Sequence, residues 1–183
     1  MNIQVTPASV LERPILRHLV ELYQYDFSEF DATDLGPLGL YDCPYPDHYG
    51  VEPERSPFLV RVGGKLAGFV LVGRYNYLTG NRDCWVMAEF FILRKYRRQG
   101  IGEHVAGYIF DQFPGPWQVS QINENPVAIA FWRKVIQRYT RGSYQEYHAG
   151  LHGPVQVFNA PVPGVRGDRQ RSVFQRMSYE SKI

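Results

Sequence analysis

Cysteine is scarce in this chain, with only Cys43 and Cys84 in 183 residues. Two cysteines are too few for a disulfide framework, so two free thiols in a reducing compartment are expected. Long apolar runs are missing too; nothing approaches the ~18 consecutive apolar residues of a membrane span. The opening Met1-Asn2-Ile3-Gln4-Val5-Thr6-Pro7 has neither the basic start nor the apolar stretch of a secretory signal, and a cytoplasmic protein is expected. Neither sign of charge dominates. A net charge of +2 argues against a nucleic-acid or anionic-membrane partner. Repeats, low-complexity tracts and hinge-like linkers are absent, so residues 1–183 read as a single domain, and 44% hydrophobic composition suffices for a core. Metal-ligand spacing is absent as well: Gly150 lies between His148 and His152 and no carboxylate accompanies them, so no metal is expected. Arg166-Gly167-Asp168 matches a cell-adhesion tripeptide, but without a secretion signal it has no reason to act as one.

Periodicity supplies the elements. Ile3-Gln4-Val5 suits a short strand, and Ile15/Leu16, Leu19, Leu22/Tyr23 and Phe27 follow at helical spacing, with Pro14 in the first turn. Residues 30–54 are rich in Gly, Pro, Asp and Tyr and read as a long loop, a length uncommon without a function. Two apolar runs, Phe58 to Val62 and Leu66 to Val72, flank Gly63-Gly64 as a hairpin. A strand is expected from about Cys84 to Leu93. A helix follows with Ile101, Val105, Ile109 and Phe113 on one stripe, stopped by Pro114-Gly115-Pro116. Trp117-Gln118-Val119 is a short strand. Asn125 caps a helix with Pro126 in its first position and Ala128, Phe131, Val135 and Tyr139 on one face. Val155 to Phe158 and Ser172 to Met177 are the remaining strand candidates. This order indicates an α/β fold of the α+β kind, a mixed, mostly antiparallel sheet with helices on both faces.

The most informative stretch is Tyr96-Arg97-Arg98-Gln99-Gly100-Ile101-Gly102. A strand that turns through glycines into a helix leaves unpaired N–H groups at the positive end of the helix dipole, a natural seat for phosphate. The glycines let backbone approach a ligand closely, and Arg94, Lys95, Arg97 and Arg98 crowd the same turn. A dinucleotide-binding turn would need glycine where Val105 stands, and no Gly-Lys-Ser/Thr of a nucleotide loop is present. A second pattern begins 25 residues after Gly100: Asn125-Pro126-Val127-Ala128-Ile129-Ala130-Phe131-Trp132-Arg133-Lys134.

Together the two patterns resemble the cofactor motifs of the GNAT acyltransferase superfamily, whose members move an acetyl group from acetyl-CoA to an amine. Arg97, Gly100 and Gly102 match the Arg/Gln-x-x-Gly-x-Gly/Ala pyrophosphate turn, and Asn125 onward is similar to the Asn-x-x-Ala-x-x-Phe-Tyr helix start. The likeness covers roughly residues 56 to 140. It implies a GNAT-like fold with acetyl-CoA as co-substrate. It also implies main-chain contacts to the pantetheine arm at Phe90, Phe91 and Ile92, and pyrophosphate held by amides of Arg98, Gln99, Gly100, Ile101, Gly102 and Glu103. Asn125 would touch the pantetheine. Trp132 departs from the family, standing where a tyrosine often protonates the leaving thiolate; an indole N–H is no usable acid. Tyr139, Tyr41, Tyr45 or Tyr49 is then a candidate acid, and an ordinary thiol, with pKa about 8.5, also leaves tolerably without one.

Glu89 is the candidate general base for an alkyl ammonium, whose pKa is about 10.4; Ser120 stands where some members carry a glutamate. Asp31, Asp34, Tyr41, Asp42, Tyr45, Asp47, His48 and Tyr49 form an acidic, aromatic segment suited to a cationic acceptor. The expected activity is N-acetylation of a primary amine on a small cationic molecule by direct attack on the thioester. The alternatives are a protein or peptide amine as acceptor, or an acyl-CoA-binding sensor without catalysis. Many small enzymes of this kind pair as homodimers through their sheets.

Overall fold

The computed structural model describes residues 1–41, 43, 49, 52–148 and 153–162. Seven strands form one sheet: β1 (Ile3–Pro7), β2 (Ser56–Val62), β3 (Lys65–Arg74), β4 (Trp85–Ile92), β5 (Gly115–Ser120), β6 (Tyr144–His148) and β7 (Pro154–Ala160). Their order is β1-β2-β3-β4-β5-β7-β6, and β4–β5 is the sole parallel pair among them. Among the described residues three α-helices join them: α1 (Arg13–Asp31), α2 (Ile101–Gln112) and α3 (Pro126–Tyr139).

Apolar residues occupy both faces of the central strands, so the sheet must be covered twice. One cover is α1, whose Leu16, Leu19 and Val20 pack on Leu59, Phe69, Leu71 and Phe91. The other is α2 with α3, whose Ile101, Val105, Ile109, Phe110, Trp132, Val135 and Ile136 pack on Val60, Val70, Val72 and Ile92. The hairpin turns at Gly63 (φ 56°) and Gly64 (φ 77°), the left-handed pair that a two-residue loop requires. The Asn125 side chain accepts from the Ala128 N–H at 2.9 Å and starts α3.

Two features depart from the sequence expectation. The strand beside β7 is Tyr144–His148, half-exposed and without a strong apolar pattern; Ser172 to Met177 lie outside the described residues. The other is a bulge in β4. Leu71 pairs Glu89 but Val72 pairs Met87, so Ala88 is the extra residue. An inserted residue reverses the alternation of faces. Met87 therefore packs with the α2–α3 core, while Ala88 packs on the α1 side and Glu89 turns to Tyr23 of α1.

Candidate active site

Strands β4 and β5 pair only at Trp85↔Trp117 and Val86↔Gln118. Beyond that point they separate, while β5 stays paired with β7 as far as Ser120. The outer edge of β4 from Met87 to Ile92 is thus open for about 20 Å, at 3.3 Å per residue. Which residues face this opening follows from the ladder. The Leu93 N–H donates to the Ala67 carbonyl at 2.8 Å. Alternate residues of an antiparallel strand address the same neighbour, so Glu89 and Phe91 direct their N–H and C=O groups to β3. Phe90 and Ile92 direct theirs into the opening. The expectation for Phe91 is corrected accordingly: its main chain belongs to the ladder, and its side chain is buried against α1.

At the end of this edge lies the glycine turn. Arg98 (φ 61°) and Gly100 (φ 78°) are both left-handed, and Gly100 is the N-cap of α2. The amides of Arg98, Gln99, Gly100, Ile101, Gly102 and Glu103 have no acceptor among the described residues. The first turn closes with the His104 N–H donating to the Gly100 carbonyl at 3.1 Å. Such a ring of donors on a helix start fits a diphosphate. The glycines have different reasons. Gly100 carries the positive φ, whereas a Cβ on Gly102 would stand 3.1 Å from the Phe131 ring. Gly102 thus lets α2 approach α3, a packing role where ligand approach was expected.

The basic side chains also behave differently from the expectation of a cationic mouth. Arg97 donates from Nε to the Ile92 carbonyl at 2.7 Å and from Nη2 to Asp26 of α1 at 2.5 Å. Arg94 donates to the other Asp26 oxygen at 2.7 Å. Burial pushes the Asp26 carboxyl up, but these hydrogen bonds outweigh it and hold the group below the ordinary carboxylate range. Arg97 is a strut tying turn, strand end and α1 together, and it occupies the Ile92 carbonyl while leaving its N–H. Gln99 donates to the Lys95 carbonyl at 2.8 Å. Glu103 accepts from Arg138 of α3 at 2.7 Å. Ile101 is fully buried and supplies only its amide.

The opening has an aromatic wall on the α3 side. Phe90, Phe131 and Trp132 stand with ring centroids 5.0 to 5.9 Å apart. Trp132, expected among the cofactor-binding residues from its place in the second motif, is 6% exposed and packs against Phe90. The Asn125 Oδ1 is engaged in the helix cap, which leaves the side-chain Nδ2 for a ligand.

On the α1 side of β4 stands Glu89. Burial pushes its carboxyl up to about 7, against the pull of a hydrogen bond from the Tyr23 hydroxyl. Burial and the adjacent Glu89 push the Tyr23 phenol well above its ordinary value. In the sequence Tyr23 stands within an apolar stripe at helical spacing. The available signal was a hydroxyl on a face otherwise made of Leu, Val and Phe.

The other tyrosines fall elsewhere. Tyr139 donates to Asp111 at 2.9 Å and packs against Phe110 and Phe158. Phe158 pairs Trp117, at the closed end of the β4–β5 fork, so Tyr139 is withdrawn as the general acid. Tyr49 is 2% exposed in the α1 core and is a packing residue, not a substrate contact. Tyr41 receives Glu21 and Ser28 as partners through its N–H and hydroxyl. At 100° per residue those two lie about 150° round α1 from Tyr23, so Tyr41 is on the far side of the helix from Glu89. Asp42, Tyr45, Asp47 and His48 lie outside the described residues. Among the described residues no three His, Cys, Asp or Glu side chains form a group that could hold a metal ion.

The acetyltransferase (GNAT) family model matches residues 16–136. No curated protein matches the chain. Among solved structures, an acetyltransferase from Thermus thermophilus is similar at TM-score 0.62 and 16% identity, covering 87% of this chain and 97% of that one. The PaiA N-acetyltransferase from Thermoplasma acidophilum, in complex with coenzyme A, is similar at TM-score 0.59 and 10% identity over 87% and 99%. The spermidine N-acetyltransferase from Vibrio cholerae, in complex with CoA and spermine, is similar at TM-score 0.57 and 13% identity over 86% and 95%. At these identities the likeness is one of fold.

Proposed function

The chain belongs to the GNAT family of acetyltransferases, and from that premise we propose that it acetylates a primary amine on a small cationic molecule. The observation that carries this reading is the open edge of β4, which leads from the amide-lined turn past Ile92 and Phe90 to the bulge that presents Glu89. The turn amides and the Phe90 and Ile92 main chain suit acetyl-CoA as co-substrate, which supplies a thioester when bound.

The chemistry asked of the protein is modest. Glu89 accepts a proton from the acceptor ammonium, directly or through one water, which frees the nitrogen lone pair for attack on the thioester carbonyl. Its elevated proton affinity matches this task near neutral pH. The Ile92 N–H, turned to the open edge, is placed to donate to the oxyanion that develops. Collapse breaks the carbon–sulfur bond, and the thiolate leaves without a dedicated acid, taking up the proton that the acylated nitrogen must still lose. Holding amine and thioester side by side supplies much of the remaining acceleration. Glu89 as anion favours a cationic acceptor over a neutral one.

Thiol release from acetyl-CoA, measured with polyamines, aminoglycosides, amino acids and peptides, tests the reading. Turnover with a small polycation is expected. Tight coenzyme binding without thiol release for any amine would overturn it in favour of a sensor, and turnover confined to peptides would overturn the acceptor class.

A further inference from the structure

The contact between α1 and β4 is more specific than packing requires. The Tyr23 ring is fixed by three others, Phe27 at 5.5 Å, Phe91 at 5.7 Å and Phe69 at 5.9 Å. A phenylalanine would make the same contacts. What phenylalanine lacks is the hydroxyl, which stands on the face that the bulge gives to Glu89 and favours its ionised form against burial. Glu89 reaches that hydroxyl only because the Ala88 bulge moves it from the α2–α3 face to the α1 face.

We propose that Tyr23 is a positioning residue for the base. Carried to the sheet by α1, it fixes the orientation of the Glu89 side chain, which the Ala88 bulge turns to this face. This inference rests on Glu89 being the base.

Direction follows from the donor. The Tyr23 O–H donates to the carboxylate and favours the anion, opposing the burial that favours the neutral acid. Few other charges face the pair among the described residues. Asp31, from the last turn of α1, and Cys43 act on Tyr23. From the sheet, the rings of Phe69 of β3 and Phe91 of β4 pack on Tyr23. Removing the hydroxyl therefore leaves burial unopposed, and Glu89 binds its proton more tightly.

The test is Tyr23→Phe, which keeps the ring contacts, with kcat/KM for the amine measured across pH. The acid limb should move up by about one unit, the order expected for one lost hydrogen bond to a charged group. The rate at neutral pH should fall about fivefold and recover at alkaline pH, with KM for acetyl-CoA unchanged. An unmoved limb, or an equal loss at every pH, would overturn the proposal. Carbon-13 NMR titration of the Glu89 carboxyl reads the same shift without turnover, and an unchanged titration likewise overturns it. Glu89→Gln separates the two levels. If that variant keeps its rate and its limb, the base reading fails and Tyr23 falls with it. If it is inactive while Tyr23→Phe keeps the wild-type limb, only the Tyr23 inference fails.

Discussion

On the α2 side of the fork between β4 and β5 the site is built from main chain: the amides of the 98–103 turn and the open edge at Phe90 and Ile92. On the α1 side it is built from side chains, Glu89 and Tyr23, brought together by a bulge and a helix 66 positions apart in sequence. The two regions hold their geometry by different means. The coenzyme side depends on backbone dihedrals and close helix packing, which tolerate little change. The acceptor side depends on a desolvated carboxyl whose charge is balanced between burial and one hydrogen bond. Binding and chemistry should therefore separate by mutation.

The largest effect is expected at Glu89. Glu89→Gln should lower kcat/KM for the amine by about 10²- to 10⁴-fold, the range for a general base, with coenzyme A affinity unchanged by titration calorimetry. An equal loss on both sides would break the distinction. Next is Gly100→Val, which forces a β-branched residue into φ 78°. It should weaken coenzyme A binding by about tenfold or more and cost about 2 kcal/mol of stability, while the pH dependence of the chemical step stays in place. A pH profile altered by this variant would show the regions to be coupled.

Glu89 also gives a stability prediction. Its folded pKa, about 7, lies above the ordinary 4.5. The folded state therefore holds the proton more tightly, and stability is lost as pH rises from the ordinary value through the folded one. Glu89→Gln should melt several degrees higher than wild type above about pH 8 and nearly equally below about pH 4. No gain at alkaline pH would mean the carboxyl is not desolvated.

Asp26 works in the opposite sense. Its carboxyl is held below the ordinary range, so its contribution is present above the unfolded pKa and fades as pH falls through the folded one. Asp26→Asn should lower the melting point at neutral pH, and the deficit should close in acid. Because Arg97 ties Ile92 to α1, this variant also asks whether the strut lets the two regions influence each other. The smallest effect is expected at Tyr139→Phe, which should leave kcat unchanged, since the hydroxyl serves Asp111 at the closed end of the fork.

What the sequence made legible was local. The Gly63-Gly64 hairpin, the Asn125 cap with Pro126 and the strand–turn–helix around Gly100 each depend on residues a few positions apart. The acceptor side depends on long-range relations. Nothing near Ala88 announces a bulge, so the face of Glu89 was open even though its strand was clear. Arg97 and Arg94 read as phosphate contacts because Asp26, about 70 residues away, could not be placed beside them. Tyr41 and Tyr49 lie in one loop in sequence, but in the structure one is outside α1 and the other is in the core beneath it. Tyr23 was hidden by its neighbours, since helical spacing explains the ring and says nothing of the hydroxyl.

The most direct test compares the thermal shift given by coenzyme A with that given by pantetheine, which lacks the diphosphate. If amides of the turn grip that group, saturating coenzyme A raises the melting temperature by several degrees, pantetheine adds little, and Gly100→Val abolishes the difference. Equal shifts from the two ligands, or none from coenzyme A, would contradict the account.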